Sequence, residues 1–236
     1  MGKESKTVIF IVEGASDKSA LEKIFKKIYR RNKEIEFTFT SSDISSDPDI
    51  NISNVENRIY EKVHEVMQDK KLKRQDIIQI VQIFDTDGAY IPDSAIINGS
   101  TYAFQYSTTN ISCTYSQRAI ERNERKREII NHLLNQTMIK SYPYEMYFMS
   151  CNLDHALYNE INLDKELKQE YADEFYERFI GKEYMFPAFL ESDVVNDVPD
   201  NMSASWRYIR EGLHSLERHT NLHIYFKTNP NPDGLL

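Results

Sequence analysis

The 236-residue chain carries 37 acidic against 29 basic residues, a net charge of −8, which excludes general coating of nucleic acid through the overall field but leaves room for a local basic groove. With 40% hydrophobic and 28% charged residues, and only seven glycines and seven prolines beside 15 tyrosines and 12 phenylalanines, it is neither disordered nor a loop-rich β chain, and it is long enough to bury a sizeable core. The two cysteines, Cys113 and Cys151, fit neither a zinc spacing nor a disulfide framework; with a charged N-terminus running straight into a short apolar strand and no run of membrane-spanning length, the expected setting is the cytoplasm, with no membrane contact.

Thr7 to Val12 is a continuous apolar run that ends at Glu13-Gly14. Ser16-Asp17 follow, then Leu21, Ile24, Phe25 and Ile28 at helical spacing, so strand, tight turn and helix are predicted, with Ser16 as the cap and Asp17 suited to the positive end of the dipole. Ile35 to Thr40 alternates as a second strand, the Ser/Asp/Asn-rich stretch 41–53 reads as a loop, and Val55, Ile59, Val63, Val66 and Met67 mark a helix to about Lys70. Ile77 to Phe84 is apolar on both faces apart from Gln79 and Gln82, the pattern of a strand buried inside a parallel sheet, and it breaks abruptly into Asp85-Thr86-Asp87-Gly88. Strands alternating with helices predict a parallel sheet with right-handed crossovers.

Beyond Gly88 the expectations are a long loop over Tyr90 to Cys113 with room for a short strand, a helix over Gln117 to Asn135, and a further strand over Tyr144 to Met149 that ends in Ser150-Cys151-Asn152-Leu153-Asp154-His155. Lys165 to Ile180 reads as a charged helix, Phe186 to Asp200 as a loop with Pro187 and Pro199, Ser203 to Leu216 as a helix around Trp206, and His223 to Phe226 as a closing edge strand. The predicted organisation is one α/β domain over residues 1–150 and a mainly helical extension over residues 151–236 packed on it.

Ligand sites of parallel α/β sheets lie beyond the carboxyl ends of the strands, where Asp85 and Asp87 stand. Residues i and i+2 of an extended segment point the same way, so both carboxylates are expected to face one point. Two acids so placed repel unless a cation or a proton lies between them, and a hard divalent ion such as Mg²⁺ is the economical solution. Glu13, at another strand tip, is the natural partner. The plainer account is turn capping, which needs only one of the two aspartates. For Asp17, a dipole role weighs nearly as much as metal work.

Val12-Glu13-Gly14-x-x-Asp17 and Phe84-Asp85-Thr86-Asp87-Gly88 together resemble the Toprim domain of topoisomerases, bacterial-type primases, OLD-family nucleases and ribosomal-RNA maturases. The resemblance covers roughly residues 5 to 150 and implies a compact Rossmann-like parallel sheet flanked by helices, with Glu13 and the Asp85/Asp87 pair around Mg²⁺ or Mn²⁺. Asp17 matches an acid that nuclease-type members place four residues after the glutamate. The Glu-Gly-Ala-Ser-Asp-Lys turn is most similar to OLD-type and small standalone Toprim nucleases. The chain is short for a strand-passage apparatus, shows no primase zinc module before the first strand, and carries no GxxxxGK[ST] loop, so any ATPase partner would be a separate chain. The implied activity is metal-dependent hydrolysis of DNA or RNA phosphodiesters, in anti-phage defence or RNA processing. Glu13, Asp17, Asp85 and Asp87 would be both catalytic and metal-holding, Glu13 as ligand or general base.

Secondary candidates surround this set. Lys18 could neutralise a phosphate, against a reading as an exposed helix charge. Asp154 and His155 open a helix at a neighbouring strand tip and could position water, or simply begin that helix, with Asn152 as cap. Arg118 and Arg122 could track a nucleic-acid backbone, although the basic stretch to Arg127 alternates with Glu121, Glu124 and Glu128 in the manner of a solvated face. Tyr102, Phe104, Tyr106 and Tyr115 could stack bases or pack the loop. His214, His219 and His223 lack a zinc-site spacing. Two rivals remain: a non-catalytic Toprim-fold module that binds nucleic acid or regulates, and a phosphatase of the HAD kind, whose opening Asp-x-Asp normally lies on the first strand. A glycosyltransferase Asp-x-Asp would leave Glu13 unexplained.

Overall fold

A computed structural model describes residues 6–32, 34–195 and 197–230; the start of the charged N-terminus and residues 231–236 of the expected extension lie outside the described residues. In chain order the elements are β1 (Lys6–Val12), α1 (Ala15–Ile28), β2 (Ile35–Ser41), α2 (Val55–Lys70), β3 (Ile77–Asp85), the short strands β4 (Ile96–Asn98), β5 (Gln105–Tyr106) and β6 (Ile111–Cys113), α3 (Ser116–Leu133), β7 (Met138–Ile139) and β8 (Tyr142–Ser150). Then come α4 (Leu153–Tyr158), α5 (Lys168–Glu177), α6 (Phe186–Phe189), α7 (Met202–Tyr208), β9 (His219–Thr220) and α8 (His223–Thr228).

The central sheet runs β2-β1-β3-β8-β7, the first four strands parallel, with β7 and β9 pairing antiparallel to β8. Alternation along β1 places Val8, Phe10 and Val12 on one face against α1, α5, α6 and α8, and Ile9 and Ile11 on the other against α2, α3 and α7. Phe10 anchors the first face, stacked 4.6 Å from Phe39 and edge-on at 4.9 Å to Phe25. Full burial of such rings contributes about 2–3 kcal/mol each. The expected stripe on α1 is the buried one. The helices after residue 150 cover both sheet faces, and β9 joins the sheet itself, so they share these cores with the elements before it.

Several expectations give way to the observed packing. Gly14, not Ser16, precedes α1, and the Asp17 carboxylate accepts from the Gly14 amide at 2.7 Å. The stretch 90–113 folds into a second small sheet, β4-β6-β5, held by the Ile91, Ile96, Ile111 and Leu216 cluster. Residues 186–194 are helical, because Pro187 sits in the first turn of α6, where its missing N–H costs nothing. The helix through Trp206 ends at Tyr208, whose carbonyl accepts from His214 Nδ1 at 2.8 Å, and Gly212 follows at φ +54°. His223 to Phe226 is helix, not an edge strand: Thr220 donates to the Phe148 carbonyl and accepts from the Leu222 amide, which turns the chain out of the sheet. No helix among the described residues is long and apolar enough to cross a membrane.

Candidate functional site

From β1 the chain passes through α1 to β2 on one side and then crosses by α2 to β3 on the other. The order therefore reverses between β1 and β3, and the connections diverge at their carboxyl ends to leave a crevice. Glu13 leaves β1 there and Asp85 closes β3. The Asp85 amide donates to Glu13 Oε1 at 3.3 Å, tying the two tips together, and Ser45 from the loop after β2 donates to the same oxygen at 2.6 Å.

The two aspartates do not face one point. The extended conformation ends at Asp85, and Asp87 and Gly88 both take positive φ, +49° and +66°. Their turn is pinned by the Cys151 carbonyl, which accepts from the Asp87 amide at 2.7 Å, and by the Ser215 carbonyl, which accepts from Gly88 N–H and Thr86 Oγ1. Asp85 Oδ1 instead accepts from the Leu153 amide at 2.9 Å. The acids consequently divide between two cavities that meet at Glu13 and Asp43. One, of about 590 Å³, includes Asp87, and the other, of about 530 Å³, includes Asp17 and Asp85.

The cation between Glu13 and Asp87 is supplied by the chain. Lys126 of α3 is fully buried and donates both to Asp87 Oδ2 and, at 3.3 Å, to Glu13 Oε1. Arg122, one turn earlier, donates to the Asp87 carbonyl at 3.0 Å and to Tyr106 Oη at 2.8 Å, and lies 3.7 Å from Asp87 Oδ2. The following Asn123 donates to the Gly88 carbonyl. Among the described residues, no group of three or more His, Cys, Asp or Glu is arranged to hold a metal ion.

Burial raises Asp87, but Lys126 and Arg122 outweigh it and hold its carboxyl below the ordinary value. Glu13 goes the other way: burial pushes it up to about 7 despite Lys126, with Asp87 adding to the rise. Asp85 stands well above the carboxylate range through burial and then through Glu13, Asp17 and Asp87, and Asp17 is raised by burial and by Asp154. Lys126 is held protonated by Asp87 and Glu13 against the burial that would strip it. One fixed ammonium thus serves a crowd of acids, and Glu13 is poised to exchange a proton near neutrality.

The secondary candidates scatter. Lys18 has a 41% exposed side chain, pairs with Glu22 on its own helix and lines neither cavity. Asp154 is buried, ion-paired to Lys168, with Oδ1 lacking a partner. Asn152 caps α4 as expected. His155 accepts from the Cys151 amide at 3.3 Å, lines neither cavity, and is pushed down to about 4 by burial, then Arg218 and His219, so it is neutral. Arg118 and Arg122 both line the larger cavity. Ser45 and Asp43 were not singled out by sequence reasoning, and Arg125 and Lys126 figured there only as members of the basic stretch Arg118 to Arg127. For Lys126 a signal existed: with Asn123 it continues the buried stripe Ile129, Ile130 and Leu133 up the helix, so a solvated-face reading fails there. Cys113 and Cys151 are buried and free.

Comparison with protein-family models, with curated proteins and with solved structures found no match for this chain.

Proposed function

We propose that the chain is a Toprim-like, metal-dependent nuclease that hydrolyses phosphodiester bonds of DNA or RNA. The observation that carries the reading is the meeting of Glu13 and Asp85, from adjacent parallel strand tips at the reversal of strand order, between cavities walled by Arg118, Arg122 and Arg125 on one side and Lys165 and Lys168 on the other. The Toprim resemblance requires that its glutamate and its Asp-x-Asp tip be neighbours, and β1 and β3 are.

Mg²⁺ takes only one or two carboxylates and keeps several waters, so it needs no preformed cage of three. The cavity lined by Glu13, Asp17, Asp43 and Asp85 fits it in donor type and charge. Glu13 and Asp85 would hold the ion with Asp17 beside them, while Asp87 is committed to Lys126 and Arg122. A bound ion would supply a Lewis acid for the phosphoryl oxygen and lower the pKa of water. The chain itself contributes Glu13 as ligand or, where it is not one, as general base, the fixed charge of Lys126 behind it, and guanidinium groups to seat the phosphate.

One observation favours a second reading, a non-catalytic binding or regulatory module: Lys126 already neutralises Asp87 and touches Glu13. The readings separate on metal-dependent scission. The nuclease cuts labelled polynucleotide in Mg²⁺ or Mn²⁺ and stops in excess EDTA; a module binds without cutting and keeps its binding in Asp85→Asn.

A further inference from the structure

The two cavities share Glu13 and Asp43 as lining residues, so they lie next to each other at the acid site. Each has the volume that one small ligand fills, and two in series suit a chain-like ligand better than a compact one. The ends differ. The smaller cavity offers Lys165 and Lys168 and no aromatic ring. The larger is walled by Arg118, Arg122 and Arg125, at i, i+4 and i+7 on one face of α3, and by Phe104 and Tyr106 from the small sheet.

Arg122 is already spent on Asp87 and Tyr106, and Arg118 is partly engaged, whereas Arg125 keeps an unpartnered donor. Arg125 has a buried Nε with no hydrogen-bond partner, a donor set in a cavity wall with nothing to receive it. The Arg118 guanidinium lies 3.7 Å from the centre of the Tyr102 ring and 5.2 Å from that of Phe104, and donates to the Tyr102 carbonyl. Tyr102, 65% exposed, does not itself line the cavity; the stack on Arg118, which does, ties the ring to the cavity's rim. Glu121 on the same helix accepts from Gln117.

We propose that the two neighbouring cavities form a track for single-stranded nucleic acid, with a base stacked on Tyr102 at the rim and flanking phosphates on Arg118 and Arg125. The inference rests on the nuclease reading for what happens over Glu13, but not for the binding itself. A base can lie on a side-chain ring only when it has left its own stack, and a duplex presents no such face. Guanidinium groups beside an aromatic shelf hold a backbone while staying indifferent to sequence.

The test is fluorescence anisotropy in EDTA, with labelled oligothymidylate, oligouridylate and the corresponding duplexes as probes. One single-stranded probe is expected to bind at least tenfold tighter than its duplex. Tyr102→Ala should weaken that binding roughly tenfold and Tyr102→Phe should restore it. Arg125→Ala should lower the slope of log affinity against log salt by about 0.7. Duplex binding as tight as single-strand binding, or Tyr102→Ala and Arg125→Ala behaving as wild type, would overturn the proposal. Cleavage in Mg²⁺ is scored separately. Shelf-dependent binding without cutting keeps the track and sinks the nuclease; cutting that ignores Tyr102→Ala does the reverse.

Discussion

Replacing Lys126 by methionine keeps an unbranched stem in the core and removes only the ammonium group. In the wild type that group is fully buried between Asp87 and Glu13, whose side chains are 14% and 12% exposed. Breaking a buried pair strands the remaining charge at a cost of about 3–5 kcal/mol. Arg122 stays 3.7 Å from Asp87, so the lower end applies, about 3 kcal/mol. For a chain of this length that lowers Tm by roughly 6–12 °C near pH 7.5. The gap should then close toward acid. In the wild type, burial raises Asp87 but Lys126 and Arg122 pull it below its ordinary value; the stability this gives is present above that value and lost as pH falls through the lowered one. In the variant the same carboxyl has lost its main cation and takes up a proton sooner, which relieves the stranded charge. Thermal melts of both proteins in EDTA from pH 5 to pH 8 measure this. A Tm difference below about 2 °C at pH 7.5, or a gap that widens toward pH 5, would refute the buried bridge.

Glu13 makes the opposite pH signature. Its folded value of about 7 lies above the ordinary 4.5, so its contribution is full below 4.5 and is lost as pH rises through 7, by about 3 kcal/mol in all. The metal-free wild type should therefore lose stability between pH 5 and pH 8, and Glu13→Gln should flatten that part of the curve; equal slopes in the two proteins would remove Glu13 as the cause. Gly88→Ala places a Cβ 2.6 Å from Leu216 Cδ2 and 2.9 Å from Ile111 Cδ1 at φ +66°. It should cost about 2 kcal/mol, read as a lower urea midpoint, and should loosen the turn that presents Asp87. An unchanged midpoint would show that the turn tolerates a side chain.

Much of the frame was legible because hydrophobic periodicity is a local signal. Leu21, Ile24, Phe25 and Ile28 announce α1, and the unbroken Ile77–Phe84 run announces a strand buried on both faces. Glu13, Asp85 and Asp87 were legible as strand-tip acids. Their division between two cavities was not, since the same-side rule for i and i+2 assumes an extended chain and Asp87 turns to positive φ. Lys126 was hidden for another reason: its partners lie 113 and 39 residues away, and its neighbours alternate in charge as an exposed helix would. The aromatic run Ile224-Tyr225-Phe226 has the composition of a strand, yet tertiary packing folds it as a helix under the Phe10 face of the sheet.

The central claim is tested most directly by incubating labelled single- and double-stranded DNA and RNA with the wild type, Asp85→Asn and Glu13→Gln, each in Mg²⁺, in Mn²⁺ and in excess EDTA. The account predicts scission of at least one substrate by the wild type with either ion, none in EDTA, and none by either variant. Scission that survives EDTA or both substitutions, or a wild type that cuts nothing, would contradict it.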